Sequence, residues 1–247
     1  MKVVALLSGG KDSTFNMVKC VENGHEIIAL ANAHPPTTSN NDEMDSFLFQ
    51  TVGFNGVDYI AESMELPLYK QAINGEALSQ ELVYSETAND ETEDLYILLK
   101  RVKDAHPDVR GVSVGAIFSS YQGNRVKHVC KRLGLEVLAY LWERDQVELL
   151  QEMIDQGVEA VLIKTAAIGL GASDLGKTLS EMQPKLLDLH KKYQLHPCGE
   201  GGEFETFTLY CPLFKKRIFI DESEVITHSD DAFAPVNYLK LKKLHVE

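Results

Sequence analysis

Residues 2–31 read KVVALLSGGKDSTFNMVKCVENGHEIIALA. The apolar run at 3–7 begins with two β-branched valines and stops at Ser8-Gly9-Gly10. A helical pattern follows over 13–22, with Phe15, Met17, Val18 and Val21 at its apolar positions, and Gly24 ends it. Residues 25–31 are apolar again. Strand, glycine-rich turn, helix and strand make one βαβ unit, which predicts a parallel sheet.

The turn between that first strand and helix, SGGKDS at 8–13, has the chemistry of a phosphate site. Gly9 and Gly10 permit a tight turn and let backbone N–H groups approach an anion. The helix beginning near Ser13 directs its unpaired N–H groups and positive dipole end to the same place. Lys11 adds a point charge, Asp12 can hold Mg2+, and the hydroxyls of Ser8 and Ser13 can donate to phosphate oxygens. A second stretch, Gly171 to Thr178, matches GxxxxGK[ST]. A Walker loop follows its strand directly, whereas the nearest apolar run, 160–164, ends several residues earlier. That match therefore reads as a turn before a helix.

Beyond the first unit, residues 34–42 are polar and proline-bearing, hence a loop, and 45–64 are helical with a break at 53–56. Strands are expected at 66–69, 111–117, 136–139 and 160–164, and helices at 94–102, 121–133, 147–156 and 184–193. The acidic stretch 74–93 reads as an exposed loop or lid. After residue 195 the runs at 206–210, 217–220, 224–227 and 236–241 suit short strands. The expected fold class is α/β: a parallel sheet over 1–140 that binds nucleotide, and a smaller mixed α/β part over 141–247 that completes the site and binds substrate.

The chain has 247 residues and a formal net charge of −13. Such a charge argues against a general nucleic-acid-binding surface and gives no attraction to anionic membranes. The opening apolar run is shorter than the roughly 7–15 residues of a secretory core, and no run approaches the ~18 of a membrane span. Cys20, Cys130, Cys198 and Cys211 show no CxxC spacing, so a zinc ribbon or iron–sulfur site is unsupported and a reducing, cytoplasmic setting is expected. Self-association is left open by the sequence.

The other chemical motif is CGEGGEFET at 198–206. Glu200, Glu203 and Glu205 crowd around Gly201-Gly202, with Thr206 following. Like charges so close need a cation, a cationic substrate or hydrogen-bond donors. The central glycines would let a ligand approach the backbone.

SGGKDS resembles the PP-loop of the N-type ATP pyrophosphatases, which split ATP between its α- and β-phosphates. The stretches ALLSGGKDSTFNM, DEMDSFLFQTVG, GVSVGAIFSSYQ with Arg125, LAYLWERD, GKTLSEM and CGEGGEFETFTLYCPLFKK extend the likeness over nearly the whole chain. Together they are similar to the diphthine–ammonia ligase (diphthamide synthetase) family, and EGGEFET is the most specific of them. The resemblance implies that the parallel sheet is doubly wound, and it implies ATP and Mg2+ as cofactors, with Asp12 as the metal ligand. It implies diphthine on translation elongation factor 2 as the substrate, and free ammonium as the nitrogen source, because the chain has no room for a glutaminase domain. An acyl adenylate would form with loss of pyrophosphate, and ammonia would then displace AMP.

On that reading Lys11, Asp12 and Glu203 are the catalytic candidates. Residues 8–13 with Ala31, Asn32, Gly115 and Ala116 line the nucleotide site, as the carboxyl ends of parallel strands should. Asp45, Tyr121, Arg125, Trp142, Glu200, Gly201, Gly202, Glu203, Glu205 and Thr206 are the substrate candidates; the acids and aromatics among them suit a trimethylammonium group. One departure is Ser120, where the family usually carries an acid after the preceding serine. Some fungal members carry further C-terminal domains, and this chain reads as the short form. The alternatives are a PP-loop enzyme that modifies tRNA and a nucleotide sensor that does no chemistry.

Overall fold

A computed structural model of the chain describes residues 1–36, 48, 53–229, 231 and 233–247. The first part alternates β1 (Lys2–Leu6), α1 (Lys11–Glu22), β2 (Glu26–His34), α2 (Val57–Met64), β3 (Leu68–Ala72), α3 (Glu91–Ala105), β4 (Val109–Ser113), α4 (Ser120–Leu133) and β5 (Glu136–Leu138). The strands pair in parallel in the order β3-β2-β1-β4-β5. The chain leaves β1 toward one edge through β2 and returns to the other through β4. The crevice at the carboxyl ends of β1 and β4 is therefore the topological switch point, where such sheets bind ligands.

The apolar run of β1 is explained by its two faces. Val3 and Ala5 enter one core layer and Val4 the other, so the strand has no solvent side. Leu95, Leu98 and Leu99 of α3 pack with Val126 and Val129 of α4 on one face. Phe15, Met17 and Val18 of α1 pack with Val57 and Ile60 of α2 on the other. Each such fully buried side chain contributes roughly 1.5–3 kcal/mol.

The second part comprises α5 (Gln146–Asp155), β6 (Glu159–Thr165), α6 (Leu179–Tyr193), β7 (Phe204–Tyr210), β8 (Ile218–Ser229) and β9 (Val236–Val246). Its antiparallel sheet runs β7-β6-β9-β8. β7 lies against the start of α1: Phe207 joins the core of α1 and α2, and the Thr208 N–H donates to the Gly9 carbonyl at 2.9 Å. This contact closes the switch-point crevice into a cavity.

Several elements differ from the sequence expectations for local reasons. α1 starts at Lys11, with Gly10 as its extended N-cap, rather than at Ser13. α3 starts at Glu91 because Asp90 caps it, its Oδ1 accepting the Thr92 N–H at 2.9 Å. The strand expected over 111–117 leaves the sheet after Ser113. α6 begins at Leu179 and contains Pro184, because Thr178 and Glu181 form a capping box. Thus Thr178 of the GxxxxGK[ST] match caps a helix, and Lys177 pairs with the buried Asp174 at 3.2 Å. β8 and β9 form one long hairpin of 12 and 11 residues, not short pieces.

The acidic stretch after β3 is mostly loop but is fastened. Asp94 accepts the Asn74 and Gly75 N–H groups at 2.9 and 2.8 Å. Asp90 accepts the Ser79 N–H at 2.9 Å, and the buried Tyr84 donates its hydroxyl to Glu93 at 2.9 Å.

Candidate active site

The cavity holds about 690 Å3. Its floor comes from the ends of β1 and β2 (Leu7, Ser8, Ala31, Asn32) and from Gly115 and Ala116 after β4. Lys11, Asp12 and Ser13 supply the first turn of α1, while Lys164, Glu200, Gly201, Gly202, Glu205 and Thr206 close it from the second sheet. Leu48, Leu95 and Val126 form an apolar wall of a kind that suits a planar base.

The turn at residues 8–13 is held in one shape by its own hydrogen bonds. Ser8 donates its hydroxyl to Ser13 Oγ at 3.1 Å, Ser13 donates to the Gly10 carbonyl at 3.0 Å, and the Gly10 N–H donates to Ser8 Oγ at 3.2 Å. Gly115 permits the close approach on which the loop rests. A β-carbon there would stand 2.5 Å from Ser13 N and 2.6 Å from the Asp12 carbonyl carbon. Lys11 Nζ donates to Asp12 Oδ2 at 2.7 Å and to the Cys198 carbonyl at 2.5 Å. Burial is the largest influence and opposes the Lys11 charge, but Asp12, Cys198 and Glu200 together outweigh it and the amine is held above its ordinary pKa.

Asp12 Oδ1 is buried with no hydrogen-bond partner. Mg2+ is commonly held by one or two carboxylates with phosphate oxygens and water. An unpartnered carboxylate oxygen at the phosphate loop fits that donor set. Among the described residues no group of three or more His, Cys, Asp or Glu could hold a metal ion. Phosphate oxygens and water would complete its shell. Asn32 Nδ2 donates to the Leu7 carbonyl at 2.8 Å, while its buried Oδ1 has no hydrogen-bond partner at the cavity floor. That oxygen can accept from a ribose hydroxyl or an adenine amino group.

The turn at 199–202 needs its glycines, because Gly199, Gly201 and Gly202 all have φ between 73 and 80°. Glu200 lies between them, with the backbone amides of Ile117 and Phe118 near enough to favour its charge. Burial, then the nearby Asp12, raises its pKa. Glu205 pairs with Lys164 at 3.4 Å.

Other sequence candidates lie elsewhere. Gly9 and Gly10 shape the loop but do not line the cavity. Glu203 stands outside the lining: its Oε2 accepts the His196 N–H at 2.7 Å, and its carbonyl accepts the Ala166 N–H at 2.9 Å, so it clasps backbone. Arg125 is wholly buried and donates to the carbonyls of Ser79, Glu81 and Tyr121, with the Tyr121 ring stacked on its guanidinium. Trp142 covers Gly123, with Lys127 over its ring. None of these three lines the cavity. Asp45 lies outside the described residues.

Sequence reasoning passed over Lys164, a charge closing the apolar run AVLIK, and Phe118, which lines the cavity although 45% exposed. It also passed over His196, whose ring meets Phe118 edge-on. Burial pushes the Cys130 and Cys198 thiols up to about 12 and Cys211 up to about 11, so none of them is poised as a thiolate nucleophile.

The chain matches the family model described as the diphthamide synthase N-terminal domain over residues 1–137, and that of the C-terminal domain over 145–242. It is 57% identical to the diphthine–ammonia ligase of Mus musculus, covering 100% of this chain and 93% of that protein. Identity to the Homo sapiens protein of the same name is 55%, over the same shares of both chains. The Schizosaccharomyces pombe protein of that name is 56% identical, covering 98% of this chain and 39% of that longer one.

Proposed function

The chain belongs to the diphthamide synthase family, and from that membership we propose that it is a ligase forming a carbon–nitrogen bond, which amidates diphthine to diphthamide with ATP and ammonium. The observation that carries the reading is the meeting, in one cavity, of the phosphate loop from the parallel sheet and the Glu200 turn from the antiparallel one.

A carboxylate is a poor acyl donor because oxide is a poor leaving group; ATP supplies the better one, AMP, with release of pyrophosphate. The chain's own residues supply position and charge. The first turn of α1 and Lys11 face the phosphates, where N–H groups and a protonated amine stabilise growing negative charge. Asp12 is the residue assigned to Mg2+, which would offset the triphosphate charge. Ala31 and Asn32 receive ribose and base against the apolar wall. Glu200 stands where the protein substrate enters and offers an anion to the trimethylammonium group or to ammonium. The buried thiols fit a nitrogen donor that is free ammonium.

The protein substrate is elongation factor 2 in its diphthine form. Four free, buried cysteines suit the cytoplasm. Among the described residues no helix is long and apolar enough to cross a membrane. The names of the relatives favour this reading over tRNA modification or nucleotide sensing. The test is AMP release from ATP. Formation that requires both diphthine-bearing factor and ammonium supports the ligase; stimulation by tRNA, or binding without turnover, contradicts it.

A further inference from the structure

Lys164 closes the cavity opposite the turn at residues 8–13, and its placement is specific. It sits on β6, the interior strand between β7 and β9, in register with Glu205 on one side and Tyr238 on the other. The pairing of β6 with β7 shifts register between Leu162 and Lys164, and there Lys164 lines the cavity while its neighbours Ile163 and Thr165 are fully buried. The Glu205 carboxylate lies 3.4 Å from its amine, and the two side chains are only 16% and 18% exposed. Charges so shielded interact more strongly than a surface pair.

The cavity's charges show why a cation is needed there. Its described lining holds Lys11 and Lys164 against Asp12, Glu200 and Glu205. Lys11 is committed to the phosphate side, where its amine meets Asp12 and the Cys198 carbonyl. A carboxylate entering on the other side would meet Glu200 and Glu205, which repel it, and then an anionic phosphate.

We propose that Lys164 is the substrate-side cation that receives the reacting carboxylate, with Glu205 as the positioning residue that holds its amine in place. This rests on the ligase reading and names the group that recognises its acyl substrate. Lys164 stays protonated throughout. A carboxylate oxygen bonds to the α-phosphorus as the bond to the β-phosphate oxygen breaks, and pyrophosphate leaves with that electron pair. Ammonia then bonds to the acyl carbon, AMP leaves, and the nitrogen loses one proton to water.

Diphthine and diphthamide differ at this group by one negative charge, which gives the test. Dissociation constants are measured for diphthine-form and diphthamide-form factor and for ATP, on wild type, Lys164→Gln, Lys164→Arg and Glu205→Gln. Wild type should prefer the diphthine form by about tenfold, the effect of one shielded charge pair. Lys164→Gln should bring the ratio near one while ATP affinity stays within about twofold of wild type. Lys164→Arg, which keeps the charge and guards against a folding defect, should retain the preference, and Glu205→Gln should weaken it. A wild-type ratio near one, a ratio unchanged in Lys164→Gln, or a loss confined to ATP affinity overturns the assignment. Wild type that binds neither form of the factor contradicts the ligase reading instead.

Discussion

The backbone N–H of Lys11 donates to Thr206 Oγ1 at 3.0 Å, across 195 residues of chain. The first N–H groups of a helix have no intrahelical acceptor. Here one of them is satisfied by the second motif, so the phosphate loop takes its shape from the antiparallel sheet. Removing that acceptor while keeping the shape isolates the bond. Thr206→Val should weaken ATP binding by about 1 kcal/mol, the net value of one such hydrogen bond, and Thr206→Ser should restore it. Titration calorimetry with ATP checks both.

Asp12→Asn keeps the volume and removes the charge. Pyrophosphate release should fall by at least about a hundredfold, as expected when a charge-stabilising group is lost, while the melting temperature changes little. Wild-type turnover in this variant would remove Asp12 from the metal site.

At Gly115 the obstacle to a side chain is backbone, at 2.5 Å from Ser13 N. Gly115→Ala should cost about 1–3 kcal/mol in stability and displace the phosphate loop, so that ATP affinity falls with it. Urea unfolding and nucleotide titration measure the two together.

His196 gives a pH signature. Burial, aided by the nearby Lys11, lowers its pKa from 6.5 to about 4. The unfolded chain therefore binds a proton in that window and the folded one does not. The stability from a neutral His196 is complete above pH 6.5 and is lost as pH falls toward 4, an effect on the order of 2 kcal/mol. His196→Asn, whose oxygen can replace Nδ1 as acceptor of the Cys198 N–H, should flatten the slope of unfolding free energy over this range.

Arg125→Met leaves the Ser79 and Glu81 carbonyls without their donor and empties a buried charged site. The cost should be roughly 3–5 kcal/mol. Amide hydrogen exchange should quicken over residues 76–90. Unchanged exchange with a raised KM for the factor would return Arg125 to the substrate site.

The turn at residues 8–13 was legible because its signals are local: a glycine pair, an apolar run before it and a helical pattern after it. The Glu200 turn was legible as a glycine turn for the same reason, but neither its meeting with the first turn in one cavity nor the direction of each acid was. Glu200 turns to the cavity and Glu203 to the His196 N–H because a turn of left-handed glycines changes direction at every residue. Tyr121 and Trp142 were chosen by residue type, which says nothing about aim; one stacks on Arg125 and the other covers Gly123. Lys164 had no local mark, since only the pairing of β6 with β7 sets it against Glu205. The long β8–β9 hairpin read as fragments because β8 is mostly exposed and its polar residues interrupt the apolar pattern.

In the proposed reaction the turn at residues 8–13 grips the triphosphate so that a carboxylic acid can be activated through AMP. The decisive measurement is a crystal structure with α,β-methylene-ATP, which cannot be split at that bond. The β- and γ-phosphates should lie against the first turn of α1, within reach of Lys11 and Asp12, with the base against Leu95 and Val126. Phosphates bound elsewhere, with the turn unchanged and unliganded, would contradict it.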